Sequence, residues 1–345
     1  MNVFGLELFA LVGFLLAAYS IVANDAIQTL GTFLSSNSHR HWTILWLYAC
    51  SLIVVVMCYA YFAGGADISY GRLNLIPYPE NGISWWHAVP PLFLLILTRF
   101  GIPVSTTFLV LTIFALTGGA ETEGVMESML IKSGMGYVLA LTMGGFVWVL
   151  VSRSFEKWIH ETPRSSHSLK WMVVQWSSTA FLWSQWLVQD LANIFVFLPR
   201  QTLEGPEGTQ VIYSGGLIIF ATVVMLCLHA IIFATRGGKI QKIVLRKTNT
   251  TDVRAATLVD FIYGLILIFF KELNDVPMST TWVFLGLLAG REIAISYMAN
   301  LRNQKEAVKD VVFDALRALF GLFVSVFLAI VIPYFATGQM PDFFG

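Results

Sequence analysis

The sequence predicts an all-α polytopic membrane protein made of two inverted-topology repeats, and three observations carry that prediction. Of 345 residues, 57% are hydrophobic and only 12% charged, where a soluble domain carries roughly 25% charge. A pentapeptide recurs with one conservative change, as Pro103-Val104-Ser105-Thr106-Thr107 and as Pro277-Met278-Ser279-Thr280-Thr281, each copy interrupting a strongly apolar stretch. Each copy also lies downstream of an acidic residue set among apolar ones, Asp25 in the first half and Asp190 in the second. Twofold repetition with broken hydrophobic segments is the pattern of secondary transporters, in which substrate binds near mid-membrane where the repeats meet.

A helix crosses the hydrocarbon with about 20 residues. Apolar segments run over 4–34, 42–63, 89–118 and 135–151 in the first half, and over 171–198, 213–234, 257–290 and 313–336 in the second. The first segment lacks a basic leader and a small-residue cleavage site and contains Glu7, so it reads as a transmembrane helix and not as a cleaved signal. The third segment of each half is too long for one crossing and holds the proline motif. Domains of 1–160 and 161–345 follow, joined by a loop at about 152–170.

Loop charge gives the direction. Arg236, Lys239, Lys242, Arg246, Lys247 and Arg254 place 235–256 in the cytoplasm. Arg153, Lys157, Arg164 and Lys170 do the same for 152–170, and Arg291, Arg302, Lys305 and Lys309 for 291–312. Glu121, Glu123 and Glu127 make 119–134 external, and 199–212 also reads external. Segment 257–290 then begins and ends on one face, so it is a re-entrant hairpin or a helix pair. With 89–118 given the same form, each half has three full crossings plus one doubled segment, the halves are inverted, and both termini are external. The chain is expected to be a multi-pass protein of the cytoplasmic membrane, in contact with lipid.

The motifs carry the chemistry. Proline is tolerated where a helix starts, the first N–H groups of a helix lack internal partners, and the helix dipole adds positive charge there. A helix starting inside the membrane is thus an anion site, and two of them from opposed hairpins can hold one oxyanion. Ser105, Thr106, Thr107, Ser279, Thr280 and Thr281 add six hydroxyls. A kink with hydroxyls back-bonded to carbonyls accounts for one such motif alone, and two in matching positions favour binding. An aspartate at a helix centre costs about 2.5–3.5 kcal/mol. Asn24-Asp25 and Gln189-Asp190 therefore read as cation-coupling sites, with Gln28 and Asn193 beside them joining the hydroxyls in the substrate-binding set: carboxylate and amide oxygens suit a hard cation such as sodium, and a carboxylate serves a proton equally well.

Other features have plainer readings. Cys50, Cys58 and Cys227 are small hydrophobes within apolar runs. Trp42, Trp46, Trp85, Trp86, Trp171 and Trp176 fit interfacial anchors. Arg99 snorkels, Asp260, Lys271 and Glu272 pair with one another, and His39 and His41 are solvated loop residues. Gly144-Gly145, Gly215-Gly216, Gly286 and Gly290 suit close helix packing. The sequon at Asn249 falls on the cytoplasmic side and is discounted. A net charge of zero gives no reason to expect nucleic acid as a partner, and no nucleotide motif is present.

At these residues the chain resembles the inorganic phosphate transporter (PiT) family of sodium- or proton-coupled symporters. Residues 23–32, AlaAsnAspAlaIleGlnThrLeuGlyThr, resemble the family's G-A-N-D-V-A-N signature, 188–193 resemble its second copy, and 103–107 and 277–281 match its P-V-S-T-T-H type motif. The resemblance spans nearly the whole chain and implies symport of inorganic phosphate, with Asn24, Asp25, Asp190, Asn193 and both Ser-Thr-Thr triplets as ligands; a homodimer is also open. Gln28 and Gln189 stand where the signatures have asparagine, Phe108 and Trp282 replace the histidine, and Val196 replaces a glycine. Sulfate or a related oxyanion therefore stays open as substrate. An intramembrane aspartyl protease using Asp25 and Asp190 is a remote alternative, since neither aspartate sits in a G-x-G-D motif, and no enzyme activity is expected.

Overall fold

A computed structural model describes residues 2–3, 6–100, 102, 104–118, 122, 124–162, 168–205, 208–236, 252–298 and 303–338. The protein is a helical, polytopic membrane protein. Among the described residues, six helices are long and apolar enough to cross a bilayer. The basic stretch 237–251, Pro103, Glu121, Glu123, Arg164, Arg302 and the sequon at Asn249 lie outside the described residues.

Helix α1 (Leu8–Ile21) passes through one turn of π-helix at Val22–Ala26 into α2 (Ile27–Ser36). Helix α3 (Trp42–Phe62) follows, N-capped by His41, which accepts from the Thr43 amide. The first doubled segment is α4 (Val89–Arg99) and α5 (Thr106–Thr117), and α6 (Val125–Glu161) closes the half. The second half repeats that order as α7 (Leu169–Phe195), α8 (Gly215–Ala234), the pair α9 (Val253–Leu273) and α10 (Thr280–Met298), and α11 (Gln304–Thr337).

Several boundaries differ from the sequence reading. Glu7 lies in a two-residue strand ahead of α1, paired with Asn2–Val3. Helix α6 begins at Val125 and runs to Glu161, so much of 119–134 and of 152–170 is helical; Glu127 in its first turn complements the helix dipole. The 199–212 loop holds a β-hairpin, Gln201–Gly205 with Gly208–Ile212. Arg254 belongs to α9, with its side chain buried: it pairs with Asp252 at 2.8 Å, donates to Thr162 Oγ1 at 2.8 Å and stacks over Trp158. Helix α7 has the length of a span but is not among the six most apolar helices, because it buries Gln175, Ser178, Thr179, Gln189, Asp190 and Asn193.

Both expected doubled segments are present, with unequal arms. At 1.5 Å per residue, arms of 11 and 12 residues in α4 and α5 span about 17 Å, half the hydrocarbon thickness of ~30 Å. Arms of 21 and 19 residues in α9 and α10 are about 30 Å long, enough to traverse it. Each second arm packs on the last helix of the other half, α5 on α11 and α10 on α6. The α6–α10 seam is drawn close by glycine: a Cβ on Gly290 would lie 2.1 Å from the Leu141 carbonyl oxygen, and one on Gly286 would lie 2.4 Å from that of Tyr137. Small residues permit such backbone approach between membrane helices.

Candidate functional site

The site begins at the π turn. Widening the helix there breaks the regular hydrogen-bond ladder, and such turns often mark functional positions. This one holds Asn24 and Asp25, both buried. Asn24 Nδ2 donates to Asp25 Oδ1 at 2.9 Å and to the Val104 carbonyl at 3.0 Å. One turn on, Gln28 Nε2 donates to Asn24 Oδ1 at 3.1 Å, and Thr29 Oγ1 donates to the Asp25 carbonyl at 2.9 Å.

The two proline motifs bring their hydroxyls to the same place. Ser105 caps α5, accepting from the Phe108 amide at 3.2 Å, and Ser279 accepts from the Trp282 amide at 3.2 Å. Each cap fixes the start of a helix by satisfying one of its free amides. Thr106 Oγ1 donates to Asp25 Oδ2, and Thr281 Oγ1 reaches Asp25 Oδ1 at 3.3 Å from the other half. The threonines that end the two motifs exchange bonds: Thr107 Oγ1 donates to the Met278 carbonyl at 3.0 Å, and Thr281 Oγ1 to the Val104 carbonyl at 3.3 Å. Val104 and Met278 occupy the same place in their pentapeptides, so the exchange is reciprocal.

Helix α7 completes the site from the second half. Asn193 Nδ2 donates to Asp190 Oδ1 at 2.8 Å, to Thr107 Oγ1 at 3.2 Å and to Thr106 Oγ1 at 3.4 Å. A continuous path therefore runs Asp25–Thr106–Asn193–Asp190, joining the two carboxylates through one hydroxyl and one amide. Gln189 faces away from that path, donating to the Leu267 carbonyl at 2.9 Å. Thr280 is buried beside Asp190, and its carbonyl accepts from Tyr263 Oη at 2.9 Å. All twelve residues singled out from the sequence are buried, and eleven of them join one hydrogen-bonded or contacting cluster around the two motifs, with Gln189 at its edge.

Among these twelve residues the side-chain polar atoms left over are oxygens, and beside them Trp282 keeps an unpartnered indole N–H. Gln28 Oε1, Gln189 Oε1, Asp190 Oδ2 and Asn193 Oδ1 are buried without a hydrogen-bond donor. Three of the four threonine hydroxyls, by contrast, donate within the protein. As folded, the site has spare acceptors, and a set of carboxylate and amide oxygens matches what a hard cation requires.

Other sequence readings need correction. Asp260 does not pair with Lys271 or Glu272; it is fully buried between halves, accepting from Thr32 Oγ1 at 2.5 Å and Thr179 Oγ1 at 2.6 Å. Lys271 pairs instead with Asp275 at 2.8 Å, one helical turn away. Arg99 reaches Tyr19 Oη at 3.5 Å, apart from the cluster. Sequence reasoning also missed the Val104 and Met278 carbonyls, which anchor three of the site's bonds, and Ser133 Oγ, which accepts from the Ser279 amide at 2.9 Å. Their place inside the repeated motif was the one available signal for the carbonyls; Ser133 gave none.

Helical doubled segments from two similarly ordered halves, meeting at a buried polar cluster, define the class of fold used by membrane transporters with discontinuous helices. A solved structure described as "The sodium-dependent phosphate transporter" has this fold, with a TM-score of 0.60 over 96% of this chain and 98% of that one, at 15% identity. No protein-family model matches the sequence, and no curated protein matches it.

Proposed function

We propose that the protein is a secondary active transporter that carries inorganic phosphate into the cell with sodium or protons, by alternating access between two inverted repeats, 1–160 and 161–345. The observation that carries this reading is the buried path Asp25–Thr106–Asn193–Asp190, which ties a carboxylate of each half to the helix start of the first proline motif, while Thr281 of the second motif reaches the same Asp25. Ser105, Thr106, Thr107, Ser279, Thr280, Thr281, Gln28 and Asn193 bind the oxyanion; Asn24, Asp25, Gln189 and Asp190 hold the coupling cation. Two ionised carboxylates in a membrane interior need compensating positive charge, which supports a cation bound together with the substrate. The spare oxygens at Gln189 and Asp190 favour sodium over a proton in that role. The similar solved structure, whose description names sodium and phosphate, supports the same reading.

The oxyanion enters where the two motif helices start. There the helix amides and dipoles are favourable to negative charge, and the threonine hydroxyls exchange their internal acceptors for the anion's oxygens. The test is uptake of radiolabelled phosphate by purified protein in proteoliposomes, with a sodium gradient and a pH gradient imposed separately and excess unlabelled sulfate as competitor. Sodium-driven uptake that resists sulfate is expected. Uptake blocked by sulfate makes the substrate a broader oxyanion class, and absence of both phosphate and sulfate uptake under either gradient rules the reading out.

A further inference from the structure

A second charged cluster lies beside the first, at the bend between α9 and α10. The loop after α3 folds into a compact knuckle held by Asp67, whose carboxylate accepts from the Ser69 amide at 2.8 Å, the Ser69 hydroxyl at 2.5 Å and the Gly71 amide at 2.7 Å. Gly71 has φ +82, and a Cβ there would meet the Asp275 carboxylate at about 3 Å, so the knuckle sits tightly against the bend. The next residue, Arg72, is completely buried. Its Nη1 donates to the carbonyls of Asn274 and Val276, each at 2.9 Å. Lys132, on α6 and also buried, donates to the same two carbonyls at 2.7 and 2.8 Å and to Asn274 Oδ1 at 2.7 Å.

Two basic side chains thus share two neutral acceptors. Among the described residues no carboxylate lies within ion-pair distance of either: Asp67 is engaged within its own loop, Asp275 pairs with Lys271, and Glu272 is exposed. Burial pulls the Arg72 guanidinium down to about 10, so it remains charged at neutral pH. Its Nε and Nη2 are buried with no acceptor. A buried guanidinium ordinarily carries a counter-charge, and one with two free N–H groups beside a lysine amine is a donor set for an oxyanion. The bend leads directly into the second proline motif: Val276 precedes Met278 by two residues, and Ser133, next to Lys132, holds the Ser279 amide.

We propose that Arg72 and Lys132 form an outer oxyanion site, on the face that loop charge assigns to the exterior, which receives the substrate before it reaches the central cluster. The inference rests on the transport reading given above. In the closed form the two basic side chains clasp the carbonyls at the bend. A phosphate ion supplies stronger, charged acceptors, takes their place, and frees the bend together with the start of α10.

The test is the concentration dependence of radiolabelled phosphate uptake by full-length protein, for the unaltered chain, Arg72→Gln, Lys132→Gln and Lys132→Arg, with equilibrium phosphate binding and thermal unfolding measured on the same preparations. Both glutamine variants are expected to raise KM and the binding constant by roughly tenfold, the scale of one lost charge-assisted hydrogen bond, by more than any loss in Vmax, and Lys132→Arg to restore much of it. If the variants lower only Vmax or thermal stability and leave KM unchanged, the clasp is structural and the inference fails while the transport reading stands. If Arg72→Gln does not fold, Lys132→Gln carries the same comparison. If the unaltered protein takes up neither phosphate nor sulfate, the transport reading fails. Phosphate binding that is lost in Lys132→Gln would then still uphold the outer site.

Discussion

At the scale of single residues, the two aspartates are nearly equivalent by sequence but not by surroundings. Asp25 has both carboxylate oxygens hydrogen-bonded, by Asn24, Thr106 and Thr281, whereas Asp190 keeps Oδ2 unbonded. Asp190 is therefore the better placed of the two to bind an incoming cation, and Asp25 holds the motifs together. Asp190→Asn is expected to abolish gradient-driven phosphate uptake with little change in thermal stability, and Asp25→Asn to abolish uptake and lower stability as well; uptake and unfolding on the same samples check both. The threonines give a finer comparison. Thr107→Val removes one donor and leaves the Met278 carbonyl unbonded, a loss of about 1–3 kcal/mol. Thr281→Val removes the bond to the Val104 carbonyl and one to Asp25, so its sodium concentration for half-maximal uptake should rise more than that of Thr107→Val. These residues were legible from the sequence because they recur in a pattern. Asp260 was misread because nothing in a linear order shows that Thr32, some 230 residues distant, lies against it.

Among the elements, the doubled segments could be inferred from length and loop charge, but their unequal arms could not. The arms of α9 and α10 extend past the expected 257–290 limits into stretches whose charged residues looked like loop. Arg254 shows why: a guanidinium satisfied by Asp252 and Thr162 and stacked on Trp158 can be buried at a helix start. The π turn at Val22–Ala26 leaves no mark in hydropathy, because inserting one residue into a helical turn alters the hydrogen bonds and not the composition. Glycine spacing was more informative. The Gly286 and Gly290 positions face backbone carbonyls, which cannot swing aside as a side chain can. Gly290→Leu should therefore separate α10 from α6, at a cost of roughly 1–3 kcal/mol or more, seen as a lower unfolding temperature in detergent. Gly216→Leu, at a site open to added atoms, should leave that temperature nearly unchanged.

Across the whole molecule, the reciprocal bonds between the two motifs are the strongest sign of a twofold relation. Thr107 reaches Met278 as Thr281 reaches Val104, and α5 meets α11 as α10 meets α6. Inversion follows if each half crosses the membrane an odd number of times, because equivalent helix starts must then face opposite sides. Helix α1 starts at Glu7 and α7 at Ser168, equivalent N-cap positions. Loop charge puts the first outside and the second in the cytoplasm. A cysteine replacing Glu7 should therefore react with a membrane-impermeant thiol reagent in intact cells, and one replacing the exposed Lys170 should react only after permeabilisation. The native Cys58 and Cys227, both exposed, are changed to serine beforehand. Labelling of both positions from one side would mean parallel repeats, whose motif helices would enter the site from the same face. Two opposed helix dipoles could not then close on one anion, and a single rocking motion could not open the site to each face in turn.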